Sequence, residues 1–226
     1  MKQDIVKGIF HYALLSTPKR WRRLIYHFYQ LLPFVPQAIP RSRWFDWPVD
    51  LLFYVLDIVY IPEIYTLGEV LWRNNIRSAN ELENYLMAEY FNGIIDGRFV
   101  LFNDKAAKIV RKYAHALVTF HMIHFETELS EAIIVHELVH VHQYQKFGSV
   151  YLYRALQAQM SPYTYDYGGV ERLVRGIEKG KKLYEYNFEQ QAAIIEDYYR
   201  ENNQFTLFYS PTKSQILEKY YKDLFV

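Results

Sequence analysis

Hydrophobic positions recur at helical spacing along most of this chain, and only two short stretches switch to the pattern of a strand. Residues 2–15 and 19–32 read as two helices separated by Ser16-Thr17-Pro18, with Pro18 in the first turn of the second. In that second helix Trp21, Leu24, Ile25, Phe28, Leu31 and Leu32 repeat opposite Arg22 and Arg23, an amphipathic pattern that suits docking on a core or on a bilayer. Pro33, Pro36 and Pro40 mark a linker. Residues 47–73 are apolar enough for one or two buried helices, with a break at Pro62, and Ala79 to Phe91 forms another helix. After turns at Asn92-Gly93 and Asp96-Gly97, Arg98 to Phe102 predicts a short strand, and Lys105 to Tyr113 a short helix. Ala116 to Phe125 is rich in β-branched and aromatic residues and predicts a second strand. Leu129 to Phe147 predicts a long helix stopped by Gly148, and residues 149–160 another. A Tyr- and Gly-rich loop from Ser161 to Gly169 leads to helices at Glu171–Lys179, Phe188–Asn202 and Lys213–Leu224. The expected fold is therefore α+β and predominantly helical, with a small sheet.

Composition narrows the chemistry. With 226 residues, 51% of them hydrophobic, the chain can bury a sizeable core. It contains no cysteine, which removes disulfides, thiolate metal sites and cysteine nucleophiles, so a metal must be held by His and carboxylates. Net charge is +1, yet residues 1–43 hold eight Lys and Arg against one acid, Asp4. That asymmetry suggests an anionic membrane surface as a partner for the N-terminal segment; a solvated basic helix face is the plainer alternative. No signature of a nucleic-acid-binding fold accompanies the basic residues, and no nucleic-acid partner is expected. The first residues lack an apolar core with a small-residue cleavage site, and Asp57, Glu63 and Glu69 interrupt the apolar stretch from Leu51 to Trp72. No signal peptide or membrane span is expected, and the location is expected to be cytoplasmic or peripheral to a membrane.

The informative string is Val135-His136-Glu137-Leu138-Val139-His140, an H-E-x-x-H pattern. On a helix His136 and His140 lie one turn apart on the same face and can share a metal ion, with Glu137 beside it as a base for metal-activated water. Apolar neighbours on both sides imply a buried helix, where two imidazoles and a carboxylate need partners. A metal supplies them; a pair of satisfied core histidines is the alternative. A catalytic zinc has a third protein ligand. Gln143 stands where an H-E-x-x-H-x-x-G-x-x-H pattern has glycine, so a downstream carboxylate is expected. Glu189, followed by the small residues Ala192 and Ala193 on a second helix, is the best candidate, against the plainer role of an acid at a helix N-terminus.

Glu137, the two histidines, Gln143 and Tyr144, and the later Glu189-x-x-Ala192 element together carry a family likeness. Over roughly residues 85–202 the chain resembles the gluzincin branch of the zincin metallopeptidases, in particular small bacterial domains with an H-E-L-x-H-x-x-Q helix. The resemblance implies a zincin-like core holding Zn2+ through His136, His140 and Glu189, with Glu137 as base, and a peptide or protein substrate. The family's second helix usually carries Asp directly after the alanine, where this chain has Ala193. That Asp orients a ligand histidine; Asp197, Glu196 or Asp166 are the candidates to replace it.

Around this core, Tyr144 shares the face of His140 and is expected to wall the site, whereas His142 points away from it. Tyr163, Tyr165 and Tyr167 lie in the loop between the two metal helices, where one could donate to an oxyanion, with Tyr165 and Tyr167 favoured. His121 and His124 could line a peptide groove along an edge strand, or be ordinary core histidines. The expected organisation is a basic amphipathic helical extension over residues 1–43, apolar helices over 44–84 packed on the core, and a catalytic domain over 85–226. A zinc peptidase is the leading function. The alternative is a non-catalytic or weakly active metal-binding module held at a membrane by its basic N-terminus.

Overall fold

The computed structural model describes residues 2–32, 45–105, 116–203 and 214–225. In chain order it comprises α1 (Lys2–Tyr29), α2 (Asp46–Ile58), α3 (Ile61–Trp72), β1 (Ile76–Ser78), α4 (Glu81–Phe91), a 3₁₀ turn at Gly97–Phe99, β2 (Leu101–Asn103), β3 (Ala116–Thr119), β4 (Met122–Phe125), α5 (Glu131–Phe147), α6 (Val150–Gln159), α7 (Gly169–Glu178), a 3₁₀ turn at Leu183–Glu185, α8 (Phe188–Asn202) and α9 (Ser214–Asp223). The fold is α+β and predominantly helical, as the hydrophobic pattern implies.

The strands form one mixed sheet in the order β1-β2-β4-β3. β1 runs antiparallel to β2 (Arg77 opposite Phe102), β2 parallel to β4 (Phe102 opposite Ile123), and β3 antiparallel to β4 (Val118 opposite Ile123). Alternation along the strands divides the core. Leu101 and Met122 pack with Ile5, Ile9, Val70 and Ile76 on the side of α1 and α3. Phe102 and Ile123 join the larger core around α5.

Several expected boundaries are corrected. The helices expected at 2–15 and 19–32 are one helix, α1, with Pro18 inside it. Proline removes a backbone donor and crowds the preceding turn. Ser16 and Thr17 bond their hydroxyls back to the Ala13 carbonyl at 3.2 and 2.8 Å, and Ile5, Ile9, Ser16, Arg20 and His27 bury along one face that runs through the proline. The break expected at Pro62 falls earlier, at Val59-Tyr60, where Tyr60 takes φ 60, and Pro62 sits harmlessly in the first turn of α3. The strand expected over Arg98–Phe102 is a 3₁₀ turn followed by β2, and the ten-residue strand expected over Ala116–Phe125 is a hairpin turning at Phe120-His121. Phe120 adopts φ 60 without a glycine to ease it, held by edge contacts with Tyr65 and Tyr144. β1 had no counterpart among the expected elements. The boundary expected after residue 84 lies within α4, and the helix expected over Lys105–Tyr113 and the Pro33–Pro40 linker lie outside the described residues.

Helix α5 runs through the middle. Its cap is Ser130, whose Oγ accepts from the Ile133 amide at 3.4 Å, and Gly148 ends it at φ 75. Only glycine fits there: a Cβ on Gly148 would meet Asp57 Oδ2 at 2.1 Å. Val135, Leu138, Val139 and Val141 are fully buried against α4, α8 and the sheet. α8 starts with a reciprocal cap, the Gln190 amide donating to Asn187 Oδ1 at 2.8 Å and the Asn187 amide to Gln190 Oε1 at 3.3 Å. α5 and α8 pack along their lengths, with Ala192 and Ala193 at the contact.

Candidate metal centre

The α5–α8 contact brings together His136, His140 and Glu189. One ligand atom from each lies within 4.8 Å of the others, and all three residues are buried. Glu189 Oε2 stands 3.5 Å from His136 Nε2 and 3.3 Å from His140 Nε2. Two ligands at roughly 2.0–2.1 Å from one tetrahedral ion are separated by roughly 3.3 Å, so this spacing fits a single zinc-sized cation.

The back sides of both imidazoles are occupied. His136 Nδ1 faces Glu196 Oε2 at 3.0 Å, and His140 Nδ1 faces Gln143 Oε1 at 2.9 Å. Gln143 donates its Nε2 to the Phe188 carbonyl at 3.1 Å and to Gln191 Oε1 at 3.0 Å, so its oxygen must accept from His140. Glu196, an acceptor only when ionised, selects the same tautomer for His136. Both histidines then donate through Nδ1 and turn the Nε2 lone pairs toward Glu189, the arrangement of metal-binding histidines. Nε2 lone pairs facing a carboxylate at this distance require a shared proton or a cation between them.

Electrostatics agree with that requirement. Burial drives the His136 imidazolium down, but its bonds to Glu189 and Glu196 and the Glu137 charge reverse this and raise it to about 10. His140 is raised against the same burial by the Glu189 carboxylate. Burial works against ionisation of Glu189 too, yet the two imidazoles hold its carboxyl well below the usual range. Burial pushes Glu137 upward, opposed by both imidazoles. Glu196 is lowered despite burial, through His136 and through Arg200, whose Nε donates to Glu196 Oε1 at 2.9 Å. Three carboxylates, Glu137, Glu189 and Glu196, face one guanidinium, which leaves two negative charges that protons on the two imidazoles or a divalent cation would balance.

The structure also separates the other candidates. Tyr165 lies over the site, its ring 5.8 Å from that of His136, and burial with the carboxylates of Glu189 and Glu137 keeps its phenol protonated. Tyr167 is buried elsewhere and donates its hydroxyl to Asp197. The Asp166 carboxylate accepts from the Gly168 amide at 2.6 Å, and its carbonyl accepts from Gln190 at 2.8 Å, which ties the loop to the start of α8. Of the three acids considered for the missing aspartate, Glu196 is the one that reaches His136. Tyr163 is exposed. Tyr144 does not wall the site: it turns toward Phe120 and His121, and Tyr151 instead stands 5.7 Å from His140. His121 borders a pocket with Ile9, Tyr12 and Phe99 on the α1 side of the sheet, and neither it nor His124 joins the metal-ligand group among the described residues. His121 is enclosed by Tyr12 and Tyr144 at 4.8 and 5.4 Å, and His124 bonds Asn103 at 2.9 Å and Thr119 at 2.5 Å. His142 is buried, its Nδ1 without a hydrogen-bond partner among the described residues.

Sequence reasoning missed Gln159, which donates to Glu189 Oε1 at 3.0 Å and leaves Oε2 to the imidazoles. It also missed Gln143 as the acceptor for His140. The i, i+3 spacing on a helix was the available signal for Gln143; Gln159 offered none. No family model matches the sequence, and no curated protein or solved structure matches the chain.

Proposed function

We propose that this chain is a zinc-dependent metallopeptidase, with His136, His140 and Glu189 as metal ligands and Glu137 as general base. The observation that carries the reading is the convergence of three ligand atoms from two helices, with both imidazole tautomers set for coordination and an unligated glutamate beside them. A divalent metal there would supply a Lewis acid that lowers the pKa of water to about 7. Glu137, made more basic by burial, takes the proton of the attacking water and passes it to the leaving amine. Tyr165, protonated and beside His136, is the candidate donor to a developing oxyanion.

A second reading, a non-catalytic metal-binding module, is favoured by one observation: His136, Glu137, His140 and Glu189 are all at most 7% exposed. The two are separated by zinc content and hydrolysis of an unstructured protein substrate, measured on the wild type and on Glu137→Gln. The peptidase reading expects bound zinc in both and a rate loss of about 10²–10⁴-fold in the variant. Zinc without hydrolysis in the wild type selects the module. Protein that binds no zinc removes both.

A further inference from the structure

Helices α2 and α3 are built inside out. The buried face of α2 consists of Asp46, Asp50, Tyr54 and Asp57, and that of α3 of Pro62, Glu63, Thr66 and Val70. The inward acids are matched. Arg154 reaches Asp50 at 2.7 and 2.8 Å and Asp46 at 3.0 Å, Ser149 donates its amide to Asp57 at 3.0 Å, and Arg20 bonds Glu63 at 3.0 Å. The outward face is the apolar one. Leu52 and Val55 on α2, Val59 just after it, and Ile64, Leu71 and Trp72 on α3, are exposed, Trp72 to 91%. Helices of a water-surrounded domain have the opposite polarity.

α1 continues this surface. At about 100° per residue, Phe10, Leu14, Trp21, Ile25 and Phe28 fall within one sector of roughly 60°. All five are exposed, and the core uses the other side of the helix. Thr17, at the border of this stripe, meets the Tyr60 hydroxyl at 2.8 Å, which sets the stripe beside the α2–α3 bend. An exposed apolar surface this extensive marks an interaction site.

We infer that the outward face of α1, α2 and α3 docks on an anionic lipid bilayer, lying in its interface without crossing it. No single helix among the described residues is long and apolar enough to cross a membrane, though α2 and α3 together pass that test as a pair bent by 58°. Each spans only about 18–20 Å, against a hydrocarbon core of about 30 Å. Both are also tied to the core through buried acids, which leaves the apolar faces to enter the headgroup and upper acyl region. Charge selects the occupant. Lys7 lies in the stripe and Arg22 beside it, both exposed, whereas Arg20 and Arg23 of the same helix turn inward to Glu63 and Asp57. Anionic headgroups attract these charges. A second copy bound face to face would bring like charges together. Trp21 and Trp72 are the amphipathic side chains that prefer the headgroup level.

This inference uses none of the metal-site residues and stands or falls apart from the peptidase reading. The test is co-sedimentation of the full chain with vesicles of phosphatidylcholine alone or mixed with phosphatidylserine, for the wild type and for the triple variant Leu52→Asn, Ile64→Asn and Trp72→Asn. The wild type binds the anionic vesicles more tightly, high salt weakens binding, and tryptophan emission shifts to the blue. The triple variant, with an unchanged thermal midpoint, loses at least about tenfold in partitioning. Absence of binding to either vesicle, or binding equal in the variant, overturns the proposal. So does a lipid-free dimer that the same variant dissociates, which assigns the face to a second copy.

Discussion

Glu196 and His136 face each other at 3.0 Å across the α5–α8 contact, and Glu196 lies two helical turns after Glu189 on the same side of α8. One helix thus offers a carboxylate to the Nε2 side of the imidazole and another to its Nδ1 side, with Ala193 between them. Arg200 holds the second oxygen of Glu196 and so fixes the carboxylate that fixes the histidine.

Removing that acid should loosen His136 without removing a ligand. Glu196→Ala is expected to weaken zinc affinity about 10–100-fold, read by competition with a chromophoric chelator. Unchanged affinity would mean that His136 is oriented by packing alone.

Metal removal should cost stability. A ligand that binds only the folded state at a thousand times its dissociation constant stabilises by about 4 kcal/mol. Chelation is therefore expected to lower the thermal midpoint of the wild type and leave that of Glu189→Gln unmoved. A wild-type midpoint indifferent to chelator contradicts a metal bound between α5 and α8.

Acid sensitivity should trace in part to His121, beside the similarly lowered His124 and His142. Burial, with a smaller push from Arg20, lowers its pKa from 6.5 to about 3. The unfolded chain therefore takes up a proton below about pH 6.5 that the folded chain refuses until about pH 3. The stability present above pH 6.5 is lost progressively as pH falls through this window. His121→Phe keeps an aromatic ring between Tyr12 and Tyr144 and removes the titration. Urea unfolding at pH 7 and pH 5, in chelator, should show a smaller loss for the variant than for the wild type; equal losses would exclude His121 as one of the buried groups responsible.

The inward charges of α2 should be costly to expose. Arg154→Met takes away the guanidinium that Asp46 and Asp50 face, and about 3–5 kcal/mol of stability should go with it, measured by urea unfolding. Adding Asp50→Leu should recover part of that loss. A single variant as stable as the wild type would mean that this ion-pair cluster does not anchor α2 to α6.

The H-E-x-x-H helix, its stop at Gly148 and the helix carrying Glu189 were all legible in the chain, because helical periodicity and capping are local properties. Glu189 was readable as a ligand candidate for the same reason: an acid at the start of a helix followed by small residues states how closely a neighbour can approach. The partners of the candidate ligands were harder to read. Asp197 and Glu196 are adjacent in sequence, yet one turns to Tyr167 and the other to His136. That outcome depends on how α8 is rotated against α5.

Local order along the chain therefore decided where most helices run, that a pair of histidines shares a face with a glutamate beside them, and that no sulfur chemistry is available. Tertiary structure decided which side of each helix is inside. Buried Arg20 and Arg154 turned the acids of α2 and α3 inward and their apolar residues outward, and packing on both sides carried α1 through Pro18. Periodicity defines an apolar face but not the medium it meets; that depends on which distant charges the opposite face can pair.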